Sequence, residues 1–401
     1  MKRILIVGGG ASGLAAAITA AQQGAKVTVL ERLPRVGKKI LATGNGRCNL
    51  GHTGCDFSKY HGTVPQAKSI LQRFDTQAFF ASLGILTRTD AEGRMYPAAN
   101  AASSVLDSLR LACARYNVTE ICDTKLTALK QKGNTWVALC GEKAYTADAV
   151  ILAAGGAAAP NCGTDGNLLP MLQAMGHAVT HPLPALCPIP TDPALVRSLK
   201  GMRVQASASL LLQDTVCKTE IGEVQFTENA LSGICIFNLS RLAAIHGNRA
   251  RIALDLLPHH SMEEADALIQ QWITLRAEDD AESLLIGLLP KRVSAVCIRQ
   301  AMKKNQGTVK SIFPDTMARK TLLQLLKCWV FPVTGTATFA QAQVTAGGVS
   351  GQSITGTLES RLAKNLYLCG ELLDIDGDCG GYNLDWAWAS GCCAGKAAAK
   401  G

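Results

Sequence analysis

"RILIVGGGASGLAAAITAAQQGAKVTVLER", residues 3–32, decides the fold. The apolar run RILIV ends in the cluster Gly8-x-Gly10-x-x-Gly13, and an alanine-rich stretch of helical composition follows at once. A second run, AKVTVLER, alternates valines and ends on Glu31, 18 residues after Gly13. Strand, glycine turn, helix, strand and terminal acid make a βαβ unit with the dinucleotide-binding fingerprint in its proper place. Each residue type has a mechanical reason. Gly8 permits the tight turn, Gly10 lets backbone approach a pyrophosphate, and Gly13 lets helix and strand pack closely. Ala11 and Ser12 open the helix, where backbone N–H groups face the phosphates. Glu31 is placed to accept hydrogen bonds from both ribose hydroxyls of an adenosine.

The same stretch imitates a signal peptide, with a basic start and no charge over residues 4–25. Glycine and glutamine interrupt it, which argues against a membrane span. At 401 residues and 48% hydrophobic, the chain buries a sizeable core in two or three domains. Charged residues are only 18%, which excludes a disordered chain. The net charge of +9 is spread without blocks, so we read it as an ordinary solvated surface rather than an acidic partner's footprint. Fifteen cysteines contain no Cys-x-x-Cys, and many sit in apolar runs, where reduced cysteine behaves as a small hydrophobe. That usage points to a reducing compartment, the cytoplasm. No metal site is expected. Asp374, Asp376 and Asp378 lack the continuation of a calcium loop, and His177 and His181 have no third ligand.

Arg32 follows the acid, but Glu31 repels a 2′-phosphate, so FAD and NAD remain. The C-terminal segment "NLYLCGELLDIDGDCGGYNLDWAWASGCCAGKAAA" runs from a strand through an acid and a glycine-rich loop into a small-residue helix. A cofactor held from both ends of the chain is long. FAD fits that arrangement; NAD hardly needs it.

"GGGASGLAAAITAA", "GKKILATGNGRCNL", "VILAAGG", "QVTAGGV" and "CGELLDIDGDCGGYNLDWAWASG" together resemble the serial motifs of one bacterial family of NAD(P)/FAD-dependent oxidoreductases. That family holds YhiN-type proteins, aminoacetone oxidase-like enzymes and the bile-acid-inducible flavoprotein BaiN. The match runs over essentially the whole chain, although Gly51-His52 stands where the family often has Thr-Asn. The resemblance implies an α/β fold: a discontinuous, Rossmann-like, two-dinucleotide-binding FAD domain with an inserted small β-barrel and a helical subdomain. We place the FAD domain at residues 1–189 and 346–401, the β-barrel-like insert at 190–260 and 328–345, and the helical subdomain at 261–327. Composition supports the insert independently. After the proline-rich "PLPALCPIP" come short strand-like runs, and "SMEE" then opens helical periodicity with a capping-box pattern, Ser261 and Glu264.

Resemblance and position together assign further cofactor contacts. Lys38, Asn45, Arg47 and Asn49 stand on or beside the loop "TGNGRCN", and Ala154 and Gly155 end the strand beside the flavin. Gly347 and Gly348 let backbone pass close to the ring system. Gly370 and Glu371 stand where related flavoproteins carry a Gly-Asp, and Asn383 and Leu384 open the last helix against the flavin pyrimidine. Trp386 and Trp388 are read as core. For the chemistry itself no acid or base stands out. Arg47, Cys48 and Tyr382 are the candidates, with Arg47 attracting an anion and Tyr382 facing a substrate carbonyl. A flavin-coupled disulfide between Cys48 and the next cysteine, Cys55, is the minor reading.

The expected function is an FAD-dependent oxidoreductase in which NAD(P)H visits as a transient donor, since no second dinucleotide motif appears between residues 150 and 350. The acceptor is a C=C of a small or steroid-like molecule. Alternatives are an aminoacetone or amine oxidase using oxygen, and an RNA-binding or non-catalytic flavoprotein. We expect a small-molecule substrate, no membrane and no nucleic acid as partner.

Overall fold

The structure is a computed structural model and describes residues 1–400 except Cys55, Lys304 and Asn305. The pairing of Cys48 with Cys55 thus lies outside the described residues. The chain divides into two compact units, Met1–Pro184 with Phe339–Gly401, and Ala185–Thr338.

In the first unit, strands β1 (Arg3–Val7), β2 (Lys26–Leu30), β3 (Thr119–Ile121), β4 (Ala149–Leu152) and β5 (Leu366–Leu368) form a parallel sheet in the order β5-β4-β1-β2-β3. After the exposed Arg3, the run "ILIV", like "AVIL", is apolar and buried throughout because both faces of a parallel sheet are covered. The chain starts in the middle of the sheet, winds out to β3, then returns to β4 on the other side. β1 and β4 therefore flank a topological switch point, where open α/β sheets bind ligands beyond the strand ends.

Helix α1 (Ala11–Gln22) follows β1 directly, and a short helix α2 (Lys38–Ala42) follows the turn after β2. The long helix α3 (Tyr382–Lys400) lies against α1. Small residues make that approach possible. A Cβ at Gly391 would sit 2.2 Å from Ser12 O, and one at Gly395 would sit 2.4 Å from Ala16 O. The core beneath joins both chain ends: Ile4, Ile6, Val29, Val150, Leu368 and Trp386 belong to one buried cluster.

The second unit is built on a six-stranded antiparallel sheet running from Ile189–Pro190 to Trp329–Pro332. Its two edge strands meet. Thr334 N–H donates to Pro190 O (3.1 Å) and the Thr191 hydroxyl to Pro332 O (2.8 Å), so the sheet curls towards a barrel. Helices Met262–Leu275, Lys291–Met302 and Thr316–Lys327 share its core. The first begins with a full capping box: Ser261 Oγ accepts from Glu264 N–H, and the Glu264 carboxylate accepts from Ser261 N–H.

The segment 339–345, which composition groups with the insert, packs with the first unit. The buried Thr345 hydroxyl accepts from Ala157 N–H (2.8 Å) and Ala158 N–H (2.9 Å), tying that segment to the turn after β4.

Candidate functional site

A cavity opens at the carboxyl ends of the parallel strands in the first unit and encloses about 1220 Å³, the open solvent at its mouth included. Gly8, Gly10, Ala11 and Ser12 line its middle. Glu31, Arg32 and Leu33, with Thr124 and Lys125, line it on the β2–β3 side. Ala154, Gly155, Val344 and Glu371 line it on the β4–β5 side, and Asn383, Leu384 and Trp386 enter from α3.

The glycines of the fingerprint do different work. A Cβ at Gly13 would lie 1.9 Å from Gly8 O, inside the protein's own backbone. At Gly10, which lines the cavity, a Cβ would meet nothing within 4 Å. Gly10 is the N-cap of α1; no side chain caps that terminus and no acid stands in its first turn. Its N–H groups and positive end remain turned towards the cavity, as a pyrophosphate requires.

Glu31 is buried, 8% exposed, and braces the loops around it. Its Oε2 accepts from Gly9 N–H (2.9 Å) and its Oε1 from Leu33 N–H (2.9 Å). Glu31 also lines the cavity. Arg32 is engaged with Asp165 (2.6 Å).

An interaction absent from the sequence reading spans the other end. Lys39 Nζ pairs with Glu371 Oε2 (2.7 Å) and donates to Ala158 O (3.3 Å), while Glu371 Oε1 accepts from Thr345 N–H (2.9 Å). Lys38, the residue singled out by motif, also lines the cavity but is exposed. Adjacent lysines in "GKK" look alike in sequence; only the phase of α2 separates them.

Other residues named from sequence stand away from the cavity lining. Gly347 (φ +96°) and Gly348 (φ +137°) answer to protein backbone: a Cβ would lie 2.5 Å from His181 O and 2.7 Å from Leu372 O respectively. A Cβ at Gly370 would meet Ser12 Oγ at 2.4 Å, between the glycine turn and α3. Asn45 and Arg47 are exposed, and the Asn49 side-chain oxygen is buried without a hydrogen-bond partner, beside Gly381. Cys48 is fully buried, and burial pushes its thiol up to about 11, which removes it as a ready thiolate nucleophile. Tyr382 is buried with its ring stacked on His52 (4.8 Å between centroids, 15°) and edge-on to Tyr60. Trp388 is core, whereas Trp386 is buried and also lines the cavity, donating to Gly370 O (3.1 Å).

Beside these, Asp385 in the first turn of α3 is buried and accepts a hydrogen bond from the Thr76 hydroxyl. Burial raises its carboxyl to about 6, against the opposing Thr76 hydrogen bond and the field of His52. No sequence signal marks it, because its partners come from distant segments.

A parallel sheet with its switch point at β1/β4, an uncapped glycine-turn helix and a long cavity closed by the C-terminal segment define a Rossmann-type FAD-binding domain. The HI0933-like protein Rossmann domain family matches residues 2–397, and the chain belongs to that family. It is 37% identical over 410 residues to the 3-dehydro-bile acid delta(4,6)-reductase of Clostridium scindens, covering 100% of both chains. It is 27% identical to the ribosomal RNA dihydrouridine synthase of Haemophilus influenzae, covering 96% of each. Among solved structures, 3-ketosteroid delta1-dehydrogenase from Sterolibacterium denitrificans shares the fold at a TM-score of 0.51 and 12% identity, over 100% of both chains. The chain is a flavoprotein oxidoreductase. Among the described residues, no helix is long and apolar enough to cross a membrane.

Proposed function

We propose that the chain is an FAD-dependent reductase that saturates a C=C conjugated to a carbonyl in a small, steroid-like substrate, with NAD(P)H as a transient hydride donor. The full-length match to a delta(4,6)-reductase carries this reading. The second relative supports the same chemistry, because a dihydrouridine is a uridine whose conjugated ring C=C has gained two hydrogens.

The residues present fit FAD. Gly8, Gly10, Ala11 and Ser12 would hold the pyrophosphate, and Glu31 the adenosine ribose. Lys38, Ala154, Gly155, Glu371, Asn383 and Leu384 would hold the ribityl and ring portions, with Gly13, Gly347, Gly348 and Gly370 keeping the walls close. Bound FAD supplies hydride transfer between donor and acceptor. The start of α3 would turn positive partial charge towards the ring portion, and buried Trp386, which lines the cavity, would help to keep water from it.

Anaerobic titration of the holoprotein with NADH and with NADPH tests the donor. One of them should bleach the flavin stoichiometrically within seconds; a flavin left oxidised by both rules NAD(P)H out. The Haemophilus relative also motivates a second substrate, uridine within RNA. Salt-sensitive binding of a uridine-rich RNA to the holoprotein would favour it.

A further inference from the structure

Resting on the reading above, we infer that Arg47, Tyr96 and Arg88 form a recognition site for a carboxylate at the far end of the substrate. Two guanidiniums converge on one ring. Arg47 Cζ lies 5.0 Å and Arg88 Cζ 5.4 Å from the Tyr96 centroid. Arg88 and Tyr96 are direct cross-strand partners in the pair Thr87–Thr89 and Arg94–Pro97, so that register places the first cation. Arg47 is brought in by the loop "TGNGRCN", which lies on the same ring: a Cβ at Gly44 would be 3.7 Å from Tyr96 Cε1.

The loop holds Arg47 there against backbone preference. Gly44 (φ +56°), Asn45 (φ +54°), Gly46 (φ +83°) and Cys48 (φ +58°) are all left-handed, a costly conformation for Asn45 and especially for Cys48. Strain of this kind persists where the surroundings impose it, and here buried Cys48 anchors the loop. Each guanidinium is then oriented by a single bond, Arg47 Nε to Gly44 O (3.2 Å) and Arg88 Nη2 to the Asn100 side-chain oxygen (2.7 Å). Both cations are exposed, and among the described residues neither has a carboxylate within ion-pair distance. The acids on the neighbouring turn, Asp90 and Glu92, are taken up by Arg94.

Two exposed cations on one ring without a carboxylate partner raise the local positive potential, which an anion would neutralise. Guanidinium forks match carboxylate and phosphate alike. The setting favours a small acid. Thr43, adjoining Gly44, lines the cofactor cavity, so Arg47 stands on a loop that borders it, and Arg88 reaches the same ring from the strand Thr87–Thr89. The apolar body of a steroid acid would reach the cavity while its carboxylate meets the arginines. These residues specify substrate; they are not catalytic.

Calorimetric binding to the holoprotein, with cholate, methyl cholate and a uridine-rich RNA oligonucleotide as probes, tests the site without turnover. Cholate should bind at least tenfold more tightly than its neutral ester at low salt, and added salt should weaken cholate alone. R47Q/R88Q, with its flavin content and melting temperature checked, should bind acid and ester equally. Equal binding of acid and ester by the wild type, or binding of neither, overturns the site. So does a preference that survives in R47Q/R88Q. RNA binding abolished by R47Q/R88Q, without any acid preference in the wild type, would reassign the arginines to RNA. If the acid preference holds but no conjugated steroid reoxidises the reduced flavin, the carboxylate site stands and the reductase reading falls.

Discussion

Replacing Glu31 probes the adenosine end of the cavity and the loops around it together. Its carboxylate accepts two backbone N–H groups, from Gly9 and Leu33, each at 2.9 Å. Hydrogen bonds to charged groups contribute about 1.5–3 kcal/mol each. Glu31→Ala therefore removes about 3–6 kcal/mol of apoprotein stability if both N–H groups stay dry, and less if water reaches them. The proposed ribose contact would add to this only when FAD is bound, so affinity should fall at least tenfold, equivalent to about 1.4 kcal/mol. Glu31→Gln separates the two roles. Its oxygen keeps one backbone bond while its amide meets the second N–H as donor against donor, so stability should fall by about half as much. Denaturant unfolding of the apoprotein gives the stability term, and fluorescence recovery on FAD release gives the affinity term. An alanine variant that unfolds like the wild type and holds FAD within threefold of it would refute the assignment.

The fingerprint glycines should separate: Gly10→Ala should melt like the wild-type apoprotein but bind FAD at least tenfold more weakly, whereas Gly13→Ala should lose stability, because its Cβ would lie 1.9 Å from Gly8 O. Equal melting losses in both would contradict this reading of the cavity. Folding raises the Asp385 pKa from 3.8 to about 6, so its contribution to stability is full below about pH 3.8 and is lost as pH rises through about 6. Asp385→Asn, which keeps an acceptor for Thr76, should thus gain on the wild type as pH rises from about 3.8 to about 6 and hold that advantage above, by at most about 3 kcal/mol. A pH-independent difference in melting temperature would show that burial does not govern this carboxyl. Lys39→Met should speed FAD release measured by dilution, since it breaks the tie between α2 and Glu371; an unchanged release rate would leave the pair without a role in retention.

The first βαβ unit was legible because its signals are local: alternation, glycine spacing and a terminal acid lie within thirty residues and obey one geometry. The capping box at Ser261 was legible for the same reason. What stayed hidden depends on contacts between distant segments. Gly347 and Gly348 suggest ligand proximity in sequence, yet the close neighbours in the structure are His181 and Leu372. Thr345 draws its segment into the first unit through two hydrogen bonds to residues nearly two hundred positions away, which composition cannot register. Asp385 likewise looks like an ordinary first-turn acid until Thr76 and the surrounding core are assembled around it.

The central claim is that this flavoprotein passes hydride to a conjugated C=C. Anaerobic mixing of the reduced holoprotein with a 3-oxo-4,6-diene steroid acid, followed by absorbance and by mass spectrometry of the product, tests it most directly. The account predicts rapid reoxidation of the flavin and a product heavier by one pair of hydrogens. A flavin that stays reduced in the presence of the steroid, and returns to the oxidised form only when oxygen is admitted, would contradict it.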